Sequence, residues 1–243
     1  MKKVFSSVLA VLFVFSVAQA QEVTINDIVD NYLENIGGAD AWKEVKSMKM
    51  TGTTATQMGA FPIEVLSMTP NMNKITVEVQ GMTLIPMAFD GESAWGLNPF
   101  GGDVKPTKMP DEVANEMKKQ PFESEFIDYG KKGIKLELLG TKEIEGTETY
   151  EVKMVTAAGD EKFYYFDMEN FVPIMMKQTA STGPMKGQAM ETYMSDYQEV
   201  EGLMIPFSME QKAGEQVIME MTAEKIELNV ADMDAEVFMM PKQ

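Results

Sequence analysis

"KITVEVQGMTLIPMAFDGESAWGL", residues 74–97, decides the fold. In its first seven residues Ile75, Val77 and Val79 alternate with Lys74, Thr76, Glu78 and Gln80, the period-two pattern of a strand with one wet face. Gln80-Gly81 supplies a turn, Leu84 to Phe89 reads as the returning strand, and Asp90-Gly91 marks a second hairpin of the primed type ahead of Trp95 and Leu97. Cross-strand aromatic contacts are enough to explain Phe89 as core. Trp95, just before the Gly- and Pro-rich stretch "NPFGGD", is expected at the mouth of a cavity.

The same alternation recurs in both directions. "TYEVKMV" (149–155) sets Tyr150, Val152 and Met154 against Glu151 and Lys153, and "LMIPFSMEQ" (203–211) aligns Leu203, Ile205, Phe207 and Met209. Turn signals at Thr69-Pro70-Asn71, Glu145-Gly146, Gly159-Asp160, Gly183-Pro184, Glu201-Gly202 and Gly214-Glu215 punctuate these runs. A spacing of about a dozen residues predicts an antiparallel meander of about ten strands in one curved sheet, a barrel or partial barrel. No linker divides it, so residues 21–243 are expected to be one domain.

Two places break the period. From Thr24 to Ile36, Ile25, Ile28, Val29, Tyr32, Leu33 and Ile36 recur at helical spacing; Thr24 or Asn26 can cap the start and Gly37-Gly38 can close the end. Ala39 to Val45 adds a short second helix with Trp42 and Val45 inward. Later, Asn98 to Pro110 interrupts the strands and "DEVANEMKKQ" (111–120) follows, with Asp111 and Glu112 at a helix start and Lys118-Lys119 at its end. That weakly anchored helix is either a lid or a plain crossover covering one end of the sheet.

Composition removes whole classes of chemistry. The 243 residues contain no Cys and no His, and all 21 basic residues are Lys. The imidazole base, the thiol nucleophile, the usual zinc, copper and haem ligands and the guanidinium clamp are therefore missing, and no cofactor or metal is expected. A chance carboxylate pair among 38 acids has no specificity, and no enzymatic activity is expected. "DMDAE" (232–236) lacks the glycine turn of a calcium loop and reads as a solvated end.

Lys2-Lys3, the apolar run Val8 to Val17 and "AQA" before Gln21 form a secretory leader cleaved after Ala20, which predicts a periplasmic mature chain with no transmembrane segment. Losing its two lysines takes the formal charge from −17 to −19. That acidity disfavours nucleic acid and anionic membrane surfaces as partners.

Methionine is the compositional oddity, at 24 residues. Met48, Met50, Met82, Met87, Met154, Met175, Met176, Met190, Met194, Met219 and Met221 fall where side chains face inward or line a rim. Each alone can be plain core; together they suit a surface that re-packs around variable apolar ligands.

The order of "YLENIGGADAW", "FDGESAW", a helix-bearing insert, "GTKEIEGTETYEVKM", "KFYYFDMENFVPIMM", "YMSDYQEVEGLMIPFSM" and "IELNVADMDAEVF" resembles the outer-membrane lipoprotein-sorting, LolA-like superfamily, in particular its Bacteroidetes-type periplasmic members. The resemblance implies a mainly β fold with α, a single curved antiparallel sheet, unclosed as a half-barrel, wrapped over N-terminal and lid helices. It also implies a hydrophobic cavity for the acyl chains of lipids or lipoproteins. The family's sheet arginine, which couples lid to ligand transfer, has no counterpart here; Lys46 and Lys49 are the basic residues of the first-strand region.

Candidate cavity-lining residues are Trp42, Met48, Met50, Val77, Val79, Phe89, Trp95, Met117, Met154 and Met190. A periplasmic carrier is the leading expectation. The alternative is a non-catalytic envelope sensor or structural module of the same fold that binds an envelope protein.

Overall fold

The computed structural model describes residues 23–102 and 105–242; the expected leader and its cleavage point after Ala20 lie outside the described residues. Among the described residues thirteen strands form one antiparallel sheet. The first arm is β1 (Ser47–Thr56), β2 (Gly59–Met68), β3 (Met72–Val79), β4 (Met82–Phe89), β5 (Ala94–Leu97) and β6 (Thr107–Lys108). The second is β7 (Lys135–Ile144), β8 (Thr147–Val155), β9 (Glu161–Asp167), β10 (Pro173–Thr179), β11 (Ala189–Val200), β12 (Leu203–Ala213) and β13 (Gln216–Leu228). Each arm is a meander, β1 pairs with β13 at the centre, and the edges β6 and β7 do not meet. The sheet is thus a half-barrel that stays open.

Thirteen strands replace the expected ten for two reasons. Turns of two residues shorten the repeat, so that β3 and β4 start only ten residues apart. The irregular-looking insert also conceals β6, which pairs Thr107 and Lys108 with Gly96 and Trp95. At Gln80-Gly81, Glu145-Gly146 and Glu201-Gly202 both turn residues have positive φ, the backbone that matches strand twist in a tight hairpin. The Asp90-Gly91 turn departs from that expectation. Phe89 pairs with Ala94, so four residues form the loop, and the Asp90 carboxylate accepts the backbone N–H groups of Glu92 (2.9 Å) and Ser93 (2.7 Å).

Curvature has a local origin. Register shifts interrupt the β1–β13, β3–β4, β4–β5, β7–β8, β9–β10 and β12–β13 ladders, and a bulge bends its strand and increases twist. At the central one, a Cβ on Gly52 would fall 2.0 Å from the Thr222 carbonyl oxygen, so only glycine lets β1 and β13 approach this closely.

Helices fill the concave side. α1 (Ile25–Asn35) starts at Thr24, whose hydroxyl accepts the Asp27 N–H while Asp27 accepts the Thr24 N–H, a reciprocal cap. Its buried stripe, Ile28 and Val29, packs with Phe126, Ile134, Val152, Met154 and Phe166 against β7–β9. At its C-terminus the Ile36 carbonyl accepts both the Met204 N–H (3.2 Å) and the Trp42 indole N–H (2.9 Å) of α2 (Ala39–Glu44). α3 (Asp111–Met117) lies over the other arm, where Ala114 and Met117 pack on Phe89 and Ala94.

The topology forces the segment between β6 and β7 to travel from one edge of the sheet to the other. Twelve strand spacings of about 4.8 Å put those edges about 58 Å apart along the sheet. Residues 109–134 cross the concave side instead. The Phe122 N–H bonds the Pro70 carbonyl (2.9 Å), and Lys43 of α2 pairs with Asp128 (2.8 Å). Lys43, then Lys131, hold the Asp128 carboxyl at about 2, below its ordinary 3.8. Residues 109–134, α3 included, therefore form the crossover of the two expectations.

Candidate ligand chamber

Between α1, α2, the crossover and the strands β9–β13 and β1 lies a chamber of about 500 Å³. Period two supplies its floor: Met48 and Met50 from β1, Met176 from β10, Met194 from β11, Met209 from β12 and Ile226 from β13. Tyr32, Ile36 and Trp42 descend from the helices, and Phe122 and Phe126 from the crossover. Tyr32, Phe126 and Tyr164 form one wall, backed by the buried Phe166, with edge-to-face ring centroids 5.3 Å (Tyr32–Phe126), 5.5 Å (Tyr32–Phe166) and 4.9 Å (Phe126–Tyr164) apart. Such contacts are worth about 0.5–1.5 kcal/mol each beyond burial, so this wall is rigid and the methionine floor is the adaptable part.

The chamber's charged groups and its tyrosine hydroxyls are committed to protein partners. Glu125 of the crossover accepts from Lys162 Nζ (2.6 Å) and from the Tyr164 hydroxyl (3.0 Å), both on β9. The Tyr32 and Ser124 hydroxyls lie 3.4 Å apart, and the Tyr197 hydroxyl donates to the Pro173 carbonyl (2.6 Å). Burial, then the Glu125 charge, push the Tyr164 phenol well above its ordinary range, and burial also raises Tyr32 and Tyr197. All three stay neutral, and among the described residues no buried side-chain nitrogen or oxygen lacks a partner. What remains to meet a ligand is mainly apolar, with the amides of Gln120 and Gln178 beside it.

A second chamber of about 700 Å³ adjoins the first and shares Gln120, Lys162 and Gln178 with it. Val113 and Met117 of α3 wall it, with Glu116, Lys119, Asp160, Ser181, Thr182, Met185 and Met190. The Ser181 hydroxyl, then Lys119, keep the Glu116 carboxyl below its usual range. A third hollow, of about 490 Å³, is lined by hydroxyls and carboxylates, among them Ser195, Ser208, Glu145, Glu210 and Glu220, together with Ile144, Ile174 and Tyr193.

The ten sequence-derived candidates separate cleanly. Trp42, Met48 and Met50 line the apolar chamber, and Met117 and Met190 line its neighbour. Val77 and Val79 pack into the apolar cluster of β1–β3 and border neither chamber. Phe89 and Met154 are fully buried in core clusters. Trp95 corrects the expectation of a cavity mouth: it is 1% exposed and its indole N–H donates to the Phe238 carbonyl (2.8 Å), beneath the 3-10 turn Ala235–Phe238. Because Phe89 pairs with Ala94 and Ala88 with Trp95, Phe89 and Trp95 point to opposite faces. Any even-length hairpin loop between them gives that parity, so the sequence already carried the signal.

Two other placements correct the methionine pattern. Met175 joins Ile144 and Tyr165 in an apolar cluster on the outer face, and Met82 is exposed. Neither Lys46 nor Lys49 lines either chamber; Lys49 pairs with Glu64 (2.7 Å), and Lys46 donates to the Lys43 carbonyl. Asp234 of "DMDAE" is spent capping the terminal 3-10 turn. The Glu125–Lys162 pair was not anticipated. The alternation Lys162, Tyr164, Phe166 in "KFYYFDM" placed Lys162 on the inner face, but its partner lies 37 residues away.

An open antiparallel half-barrel over helices is an architecture seen in solved structures. The chain superposes on a LolA superfamily protein, NE2245 from Nitrosomonas europaea, with a TM-score of 0.56 at 12% identity, covering 90% of this chain and 98% of that one. A DUF1329 family protein from Desulfovibrio piger gives 0.57 at 9% identity over 88% and 99% of the two chains. A domain assigned to outer membrane lipoprotein sorting, from Vibrio parahaemolyticus, gives 0.51 at 12% identity over 86% and 97%. No protein-family model and no curated protein matches the chain. The fold is LolA-like.

Proposed function

We propose that this protein is a periplasmic carrier whose apolar chamber takes the acyl chains of a lipid or lipoprotein. The methionine-floored hollow of about 500 Å³ carries the reading, because its lining is mainly apolar and its charged groups are already paired. That volume lies within the roughly 300–1,000 Å³ of small-ligand sites. At about 0.8 kcal/mol per buried methylene, ten methylenes contribute about 8 kcal/mol, which corresponds to micromolar affinity before ordering costs. The leader expected over residues 1–20 supports export, no described helix is long and apolar enough to cross a membrane, and the likeness to a lipoprotein-sorting domain agrees with such a cargo.

Lipid mass spectrometry on the natively purified protein, compared with a delipidated sample, tests this. Acyl lipids should co-purify near stoichiometric amounts, and the delipidated sample should bind a fluorescent fatty acid saturably. A lipid-free native sample that binds no fatty acid overturns the proposal.

A further inference from the structure

The apolar chamber and its larger neighbour lie on either side of Gln120, Lys162 and Gln178, which line both, and the two differ in chemistry. The neighbour adds the hydroxyls of Thr179, Ser181 and Thr182 and the amide of Gln211 to an apolar patch of Met87, Val113, Met117, Met185 and Met190. An apolar hollow adjoining one that adds hydroxyl and amide groups has the form of an amphiphile, chain in one and head in the other.

Its charges specify the head. Lys119 Nζ is shared between Glu116 (2.9 Å) and Asp160 (3.3 Å), and Lys162 Nζ is held by Glu125 (2.6 Å). The third lining acid, Glu161, is taken by Lys153 (2.6 Å). Two lysines therefore face three carboxylates, and both already have carboxylate partners. An anionic head would have to strip a lysine from its partner and then sit beside the acid it displaced.

We propose that the second chamber is a headgroup site for an amphiphile whose polar head carries no net charge, recognised through hydroxyl and amide groups. This rests on the acyl-chain reading of the first chamber.

The test compares three probes with one acyl chain: a monoacylglycerol, a lysophosphatidylethanolamine and a lysophosphatidylglycerol. Each displaces a fluorescent fatty acid below its micelle concentration at about 0.15 M salt, where a Debye length of about 8 Å screens the distant charge of the protein. The neutral and zwitterionic probes should bind at least tenfold more tightly than the anionic one. Glu116→Gln with Asp160→Asn, which leaves Lys119 without its acids, should tighten the anionic probe at least fivefold and move the zwitterionic one less than twofold. Thr182→Trp, which fills only the second chamber, should abolish discrimination while fatty acid still binds.

Equal affinities in the unaltered protein, or an anionic affinity unmoved by the double substitution, overturn the headgroup assignment and leave the carrier reading standing. Failure of every probe and of the fatty acid overturns the carrier reading itself.

Discussion

Removing one half of the Glu125–Lys162 pair should cost more stability than removing both. The two side chains are 12% and 16% exposed, and Nζ and Oε2 are 2.6 Å apart. Breaking a fully buried pair costs about 3–5 kcal/mol because the survivor is left charged and desolvated. Residual solvent contact moves the expectation to about 2–3 kcal/mol for Lys162→Met or Glu125→Gln alone. With Glu125→Gln and Lys162→Met together, no charge is stranded, and the Tyr164 hydroxyl retains an acceptor in the glutamine. The double variant should lie within about 1 kcal/mol of the parent. Urea melts with calorimetry read this directly: at about 2–4 °C per kcal/mol for a chain of this size, the single variants should lose about 4–12 °C in Tm and the double variant little. Single variants within about 0.5 kcal/mol of the parent, additive in the double, would refute the argument. They would show that the pair is solvated and that the crossover is held by its other contacts.

Trp95→Phe should destabilise by about 2–3 kcal/mol through the lost bond to the Phe238 carbonyl and the void left behind, yet leave fatty-acid affinity unchanged; a titration with altered affinity contradicts its outer-face placement. Filling the apolar chamber with Met194→Trp should weaken fatty-acid binding at least tenfold with Tm preserved, as followed by probe fluorescence and calorimetry. Gly37→Ala should cost about 2 kcal/mol or more, since φ is +102° and the new Cβ would lie 2.3 Å from the Gly202 carbonyl oxygen; a urea midpoint equal to the parent's counts against this docking of α1. Asp128 titrates at about 2 when folded against 3.8 ordinarily, so its contact with Lys43 stabilises fully above about pH 4 and is lost as pH falls through 2. The parent and Asp128→Asn, whose asparagine tolerates φ +51°, should differ in urea midpoint at pH 5 and converge by pH 2; a constant gap contradicts the shift.

Strand character was legible wherever one face is wet, as in Lys74 to Val79, because burial on one side writes a period of two directly into the chain. α1 was legible for the same kind of local reason, although between the two caps it offered, Thr24 and Asn26, the structure chose Thr24. β6 was not, since two residues of pairing leave no period to detect. Among the candidate residues, the strand methionines Met48 and Met50 and the helix residue Trp42 reached the apolar chamber. Trp95 did not, because proximity to an insert says nothing about which face of the pleat a side chain occupies.

The sequence by itself determined the alternation, the tight turns, the first helix and the absence of His, Cys and Arg, all of which depend on residues within a few positions or on composition. Tertiary structure alone decided that β1 meets β13, that the sheet bends without closing, and that Glu125 meets Lys162 beside a methionine floor. Those outcomes depend on bulges and on contacts between residues 37 to 180 positions apart. Their free energy belongs to the packed whole, and no local window of the chain contains it.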